Sequence, residues 1–153
     1  MFRIWTNAPT SKLLDEVSPH SRFAVHQALK SPKLEILLAD AKQLGDDTWL
    51  VRVGVANTGW LPTYITTYAN KHNLVLPLTV DITGATPIGE GSRKKLGQLE
   101  GRVALRMNGG AMSDGTGDRA LATWTVKATR GTTVNVVAEH PRAGRVTTNI
   151  TLS

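Results

Sequence analysis

The sequence predicts a mainly β chain: an immunoglobulin-like antiparallel β-sandwich of about seven to eight strands, preceded by a short N-terminal helical segment. Three observations carry this prediction. From Leu34 onward, apolar residues recur with a period of two, which gives each strand one buried and one wetter face. Turn words rich in Gly, Asn, Asp and Arg separate these runs. Before Pro32 the apolar spacing is helical instead.

The helical part comes first. Thr10 is placed to cap a short helix carrying Leu13, Leu14 and Val17. Ser18-Pro19 then reads as the cap and first position of a second helix through Phe23, Ala24, Gln27 and Ala28 to about residue 30. One helix kinked at Pro19 fits the same residues. Ser31-Pro32 stops it, because a residue before proline is pushed out of the helical region. The expected division is residues 1–32 as a helical tail and 33–153 as the sandwich.

The strands follow in order. Leu34, Ile36 and Leu38 share a face, as do Trp49, Val51, Val53 and Val55. Leu74, Leu76, Leu78, Val80 and Ile82 form the longest alternation, with Pro77 inside it. A proline there donates nothing to a ladder, so this strand is expected at an edge or with a bulge. Residues 93–107 add a less regular strand. Ala122, Trp124 and Val126 come next, then Val134, Val136 and Ala138, and last Val146, Thr148, Ile150 and Leu152. The turn words are Gly45-Asp46-Asp47, Asn57-Thr58-Gly59, Asn108-Gly109-Gly110, Arg130-Gly131 and Arg142-Ala143-Gly144.

Composition bounds the chemistry. The chain has 153 residues, 41% hydrophobic and 20% charged, which is enough apolar material for one cored domain. It has no cysteine, so disulfides, thiolate zinc sites and cysteine nucleophiles are excluded. The net charge is +6, but the Lys and Arg residues are scattered. The densest group, Arg93-Lys94-Lys95, has no interleaved aromatics, which argues for a solvated face over a nucleic-acid surface. No apolar run is long enough to span a bilayer, and the first residues lack the pattern of a secretory leader. Composition leaves cytoplasm, periplasm and secretion all open.

Catalytic words are few. His20, His26, His72 and His140 start neither H-x-x-E nor H-E-x-x-H, and read as surface histidines. There is no G-x-S-x-G elbow. The stretch Gly89 to Lys95, GEGSRKK, lacks the spacing of a phosphate loop and reads as a basic loop. Asp114 and Asp118 fall in a glycine-rich stretch short of calcium ligands, which reads as a hairpin loop. The word NTGWLPT, Asn57 to Thr63, is expected to turn the chain through positive φ at Asn57 and Gly59, with Trp60 and Leu61 buried in the crossover that follows.

Three longer words carry a resemblance. VRVGVANTGWLPTYITTYA (51–69), LGQLEGR (96–102) and ATWTVKATRGTTVNVVAEHPRAGRVTTNITL (122–152) resemble the sandwich that follows the catalytic domain in a bacterial group of zinc metallocarboxypeptidases, the carboxypeptidase A-like family. Residues 3–36, with a Trp-x-Asn-x-Pro word and a helix, are similar to the tail of the peptidase portion. The resemblance implies a C-terminal, non-catalytic accessory domain that packs on the peptidase domain in cis and stabilises it. It implies Trp5, Leu14, Phe23 and Trp60 as contacts. The family holds zinc through H-x-x-E and a later His, with a Glu as base and an Arg for the substrate carboxylate. No position here matches those roles, so no cofactor is expected in this chain; zinc belongs to the presumed parent, which is expected to be periplasmic or secreted or else cytoplasmic. A rival reading, a carbohydrate or cell-wall binding module, would place a glycan or peptide on Trp60, Tyr64 and Tyr68. A lone hydrolase is the third.

Overall fold

A computed structural model describes residues 9–102 and 116–153, and the chain divides into two compact units, Met1–Ser31 and Pro32–Ser153. In the first unit a single 3-10 turn, Thr10–Lys12, leads into α1, Leu13–Ala28. This is one helix that runs through Pro19, so Ser18 is not a cap. Its hydroxyl instead donates to the Leu14 carbonyl at 2.6 Å, the back-bonding open to a serine inside a helix. Pro19 withholds the N–H that the Asp15 carbonyl would otherwise accept. The cap position of the 3-10 turn is Pro9 rather than Thr10 and that of α1 is Lys12, and neither makes a side-chain capping bond.

The second unit is the sandwich the sequence predicts. Its strands are β1 (Leu34–Gly45), β2 (Thr48–Asn57), β3 (Leu78–Thr83), β4 (Thr86–Pro87), β5 (Arg93–Gly97), β6 (Arg119–Lys127), β7 (Thr133–His140) and β8 (Gly144–Thr151), with a short helix α2 (Thr67–Lys71) between β2 and β3. Among the described residues two four-stranded sheets form, ordered β1-β2-β6-β4 and β5-β3-β7-β8, and their ladders are antiparallel. This is the ABED and C′CFG order of an immunoglobulin sandwich. The two-residue β4 takes the D place although it precedes β5 in the chain.

Period-two patterning fixes the register. Trp49, Val51, Val53 and Val55 face inward against Val126, Trp124, Ala122 and Ala120 across the ladder. Burying each large apolar side chain contributes about 1.5–3 kcal/mol, and a one-residue slip would put Arg52 in the core instead. Val134, Val136 and Ala138 of β7, with Leu78, Val80 and Ile82 of β3, supply the opposing face, and Ile150 and Leu152 close one edge.

Several expectations are corrected here. Leu74 and Leu76 do not belong to β3, which starts at Leu78; both are exposed. Pro77 precedes the ladder, and β3 lies between β5 and β7 rather than at an edge; the alternative, a bulge, is met beside the proline, where the register against β5 shifts between Leu78 and Thr79. The face shared by Leu34, Ile36 and Leu38 breaks at a bulge between Ile36 and Leu38, which turns Leu38 outward. The basic loop ends in strand β5, where Lys94 and Leu96 turn inward and Arg93 and Lys95 outward. The strand expected over 93–107 ends at Gly97, and residues 98–101 are outside any strand; its part beyond residue 102, the Asn108-Gly109-Gly110 turn, and Trp5 lie outside the described residues.

Candidate functional site

One end of the sandwich gathers most of its buried polar groups. Asn57, the last residue of β2, is fully buried, and its carboxamide is saturated. Its Oδ1 accepts the N–H of Lys33 at 2.9 Å and of Gly59 at 3.1 Å. Its Nδ2 donates to the carbonyls of Leu61 at 2.8 Å and Glu100 at 3.0 Å. Its backbone N–H reaches the Asp118 carbonyl at 2.8 Å. The turn at Asn57-Thr58-Gly59 is thus made by a side chain that bonds its own backbone two residues on, not by positive φ, which neither Asn57 nor Gly59 adopts.

Thr63 extends this knot. Its N–H donates to the Leu99 carbonyl and its Oγ1 accepts the Leu99 N–H, both at 2.9 Å. The hydroxyl lies 2.7 Å from Gln98 Oε1, and Gln98 Nε2 donates to the Val75 and Leu76 carbonyls. His140, 1% exposed, completes the chain: its Nδ1 accepts the N–H groups of Arg142 and Ala143, so the ring proton sits on Nε2 and is donated to Gln98 Oε1 at 3.1 Å. Burial, then the nearby Arg142 charge, hold its pKa below the usual histidine value. This corrects the reading of His140 as a surface residue. The tight return at Arg142-Ala143-Gly144 aims two amides at one ring nitrogen, and the inward direction of His140 continues the alternation of Val134, Val136 and Ala138.

Close approach fixes Gly101 in the same place. A Cβ there would lie 2.1 Å from the Trp60 carbonyl oxygen. Arg102 N–H donates to the Gly59 carbonyl at 3.1 Å. Between these strands of contact, Ile65 sits at φ 66, a left-handed conformation costly for a β-branched residue.

The aromatic residues divide. Tyr64 is half-buried and donates its hydroxyl to both Glu100 carboxylate oxygens at 2.8 Å. Burial first, then that carboxylate, push its pKa up to about 12. Trp60 is half-buried and outside the main core cluster, and Leu61, expected to be covered, is 36% exposed. Tyr68 is exposed on α2, its ring 4.2 Å from that of His72. Trp60, Tyr64 and Tyr68 thus share one crossover but have different tasks. Leu14 and Phe23 lie on α1, in the first unit.

The remaining candidates are accounted for by local pairing. Asp118 is bound by its neighbour Arg119 at 2.8 Å, and Asp114 lies outside the described residues. Arg93 pairs with Asp81 at 2.8 Å and Lys94 with Glu90. Among the described residues no group of three His, Asp or Glu could hold a metal ion. No helix among them is long and apolar enough to cross a membrane.

With this geometry in view, residues 33–151 match the model of a protein family described as Domain of unknown function (DUF8731), and the chain belongs to that family. The match covers the whole sandwich and its polar knot. A comparison with curated proteins returns no match.

Proposed function

We propose that residues 33–153 are a non-catalytic accessory sandwich of a zinc metallocarboxypeptidase, that residues 1–32 are the tail of its peptidase domain, and that the polar knot forms the end that docks on that domain. One observation carries the reading. The three words that resemble the family, separated by tens of residues, meet in one cluster: Asn57 and Thr63 from the first, Gln98, Leu99 and Glu100 from the second, His140 from the third. Asn57 also holds the backbone N–H of Lys33, where the chain enters the sandwich. The crossover it anchors exposes Leu61, Tyr68, Leu74 and Leu76, the kind of apolar surface that a partner domain covers.

In the parent, zinc held by the peptidase domain would polarise the scissile carbonyl and lower the pKa of its bound water. The described residues offer no ligand set for it. The part of this chain is to brace the domain that does. The knot supports that role because its polar side chains are already committed to one another and to backbone, which rigidifies a surface rather than leaving groups free for chemistry.

The purified chain, assayed on peptides with free C-termini with and without added zinc, is expected to show no turnover. Turnover that follows the chain through purification and disappears with a chelator would overturn the proposal.

A further inference from the structure

Strand β1 is an edge of its sheet. Past Leu34, whose N–H donates to the Ala143 carbonyl, its backbone bonds among the described residues go only to β2, so its other side keeps a row of N–H and C=O groups without a protein partner. Such an edge is a template for another strand. We infer that β1 pairs antiparallel with β1 of a second copy of this chain, about a two-fold axis at Ala41, and so joins two β1-β2-β6-β4 sheets edge to edge. The inference does not depend on the accessory-domain reading. The paired segment, residues 38–44, lies towards the β1–β2 hairpin, at the far end of the strand from the knot at Lys33.

Charge complementarity carries the argument. Leu38, Asp40 and Lys42 stand opposite Gly54, Arg52 and Leu50 on the outer face of the sheet, and Leu44 follows them in parity. A strand that meets its own copy about an axis normal to the sheet keeps its faces, so only residues of one parity stand opposite each other. With Ala41 on the axis, Asp40 faces Lys42 of the second copy, Lys42 faces Asp40 of the second copy, and Leu38 and Leu44 meet at both ends. An axis at Asp40 or at Lys42 sets like charges against each other. An axis at Ala39 pairs Leu38 with Asp40, and one at Gln43 pairs Lys42 with Leu44. Opposite charges directly across a ladder stabilise it and like charges destabilise it, so one register is selected.

The residues are placed for it. Leu38 is 40% exposed and Leu44 55%, and the pairing covers both. Lys42 is exposed, its neighbour on β2 is Leu50, and it makes no ion pair among the described residues. Asp40 already accepts from Arg52 Nε at 3.0 Å, and a carboxylate has lone pairs left for an ammonium. The other edges lack this match. Strand β4 has two residues, β5 presents Arg93, Lys94 and Lys95 to a copy of itself, and β8 carries Arg145 and no opposite charge. Two identical edges meeting give a closed dimer rather than an open chain.

The test is sedimentation of the whole chain across a range of concentrations. A dimer is expected, and Lys42→Glu is expected to weaken it about tenfold, as two attractive pairs become two repulsive ones. Asp40→Lys is expected to do the same, and an equimolar mixture of the two variants to recover the dimer, since each then supplies the charges the other lacks. Cysteine substitution reads the register even if Asp40→Lys fails to fold, because the chain has no cysteine of its own. At the axis, Cα atoms of facing strands lie about 4.5–5.5 Å apart, within reach of a disulfide, so Ala41→Cys is expected to cross-link on oxidation. Ala39→Cys, offset from its copy by about 13 Å along the strand, is expected not to. A chain that stays monomeric at millimolar concentration would overturn the inference. So would assembly beyond a dimer, a dimer unaffected by Lys42→Glu, or cross-linking of Ala39→Cys equal to that of Ala41→Cys.

Discussion

Asn57 donates from its carboxamide to the backbone carbonyl of Glu100 at 3.0 Å, across a sequence separation of 43 residues. That bond ties the end of β2 to the long connection between β5 and β6. Because the same side chain also holds Lys33, Gly59 and Leu61, one residue ties together the start of β1, the crossover after β2 and the connection after β5. A buried amide with every donor and acceptor filled specifies one arrangement, since any shift leaves an unpaired group in an apolar setting.

Replacing Asn57 with Ala strands two backbone N–H groups and two carbonyls. Each unsatisfied buried group costs about 1–3 kcal/mol, and partial access of water limits the sum, so Asn57→Ala is expected to cost about 3 kcal/mol. Urea unfolding measures it: the midpoint should fall while the slope stays near that of the native chain.

Gly101 and Gly97 give a matched pair. A Cβ at Gly101 collides with the Trp60 and Leu61 backbone, which cannot move without pulling on the knot. At Gly97, where φ is +77, a Cβ meets open space. Gly101→Ala is expected to cost about 3 kcal/mol through overpacking, and Gly97→Ala about 1 kcal/mol through backbone strain alone. Equal losses in thermal unfolding would contradict the close approach.

His140 makes stability depend on acid. Its pKa is lowered in the folded chain from the ordinary 6.5, so below that value the unfolded chain takes up the proton more readily. Stability is therefore full above the unfolded pKa and falls as pH drops through the folded one. Protonation would also put a proton on Nδ1, which accepts two backbone amides. Urea midpoints measured across this range should decline towards acid in the native chain and decline less in His140→Gln.

Tyr64 acts at the other end of the scale. Its pKa rises from 10.0 to about 12, so the folded chain holds the phenol proton where the unfolded chain has begun to lose it. The stabilisation is present below the unfolded value and disappears as pH rises through the folded one. Tyr64→Phe is expected to flatten the alkaline fall in stability, and absorbance of the phenolate should show one late-titrating tyrosine that this variant lacks.

The core was legible because side-chain direction in a strand depends only on parity: Trp49 to Val55, Ala122 to Val126 and Val134 to Ala138 all fall where alternation puts them. Alternation continued past the true strand at Leu74 and Leu76, because periodicity says nothing of where backbone pairing begins; the proline at 77 marked that start. The knot was half legible. NTGWLPT stood out as a turn, but the partners of Asn57 lie up to 43 residues away, and a side chain that bonds backbone carries no residue code for its acceptors. His140 was misread although it keeps the parity of Val134, Val136 and Ala138; only its partners were hidden in this way. Lys94 was hidden within a run of cations, and only the direction of β5 separates it from Arg93 and Lys95.

The measurement that bears most directly on the account is the size, zinc content and activity of the native polypeptide that carries residues 33–151, recovered from its source with an antibody to the sandwich. The account predicts a polypeptide well above the 16.5 kDa of this chain, with bound zinc and chelator-sensitive release of C-terminal residues from peptides. A 16.5 kDa species with neither zinc nor such activity would contradict it.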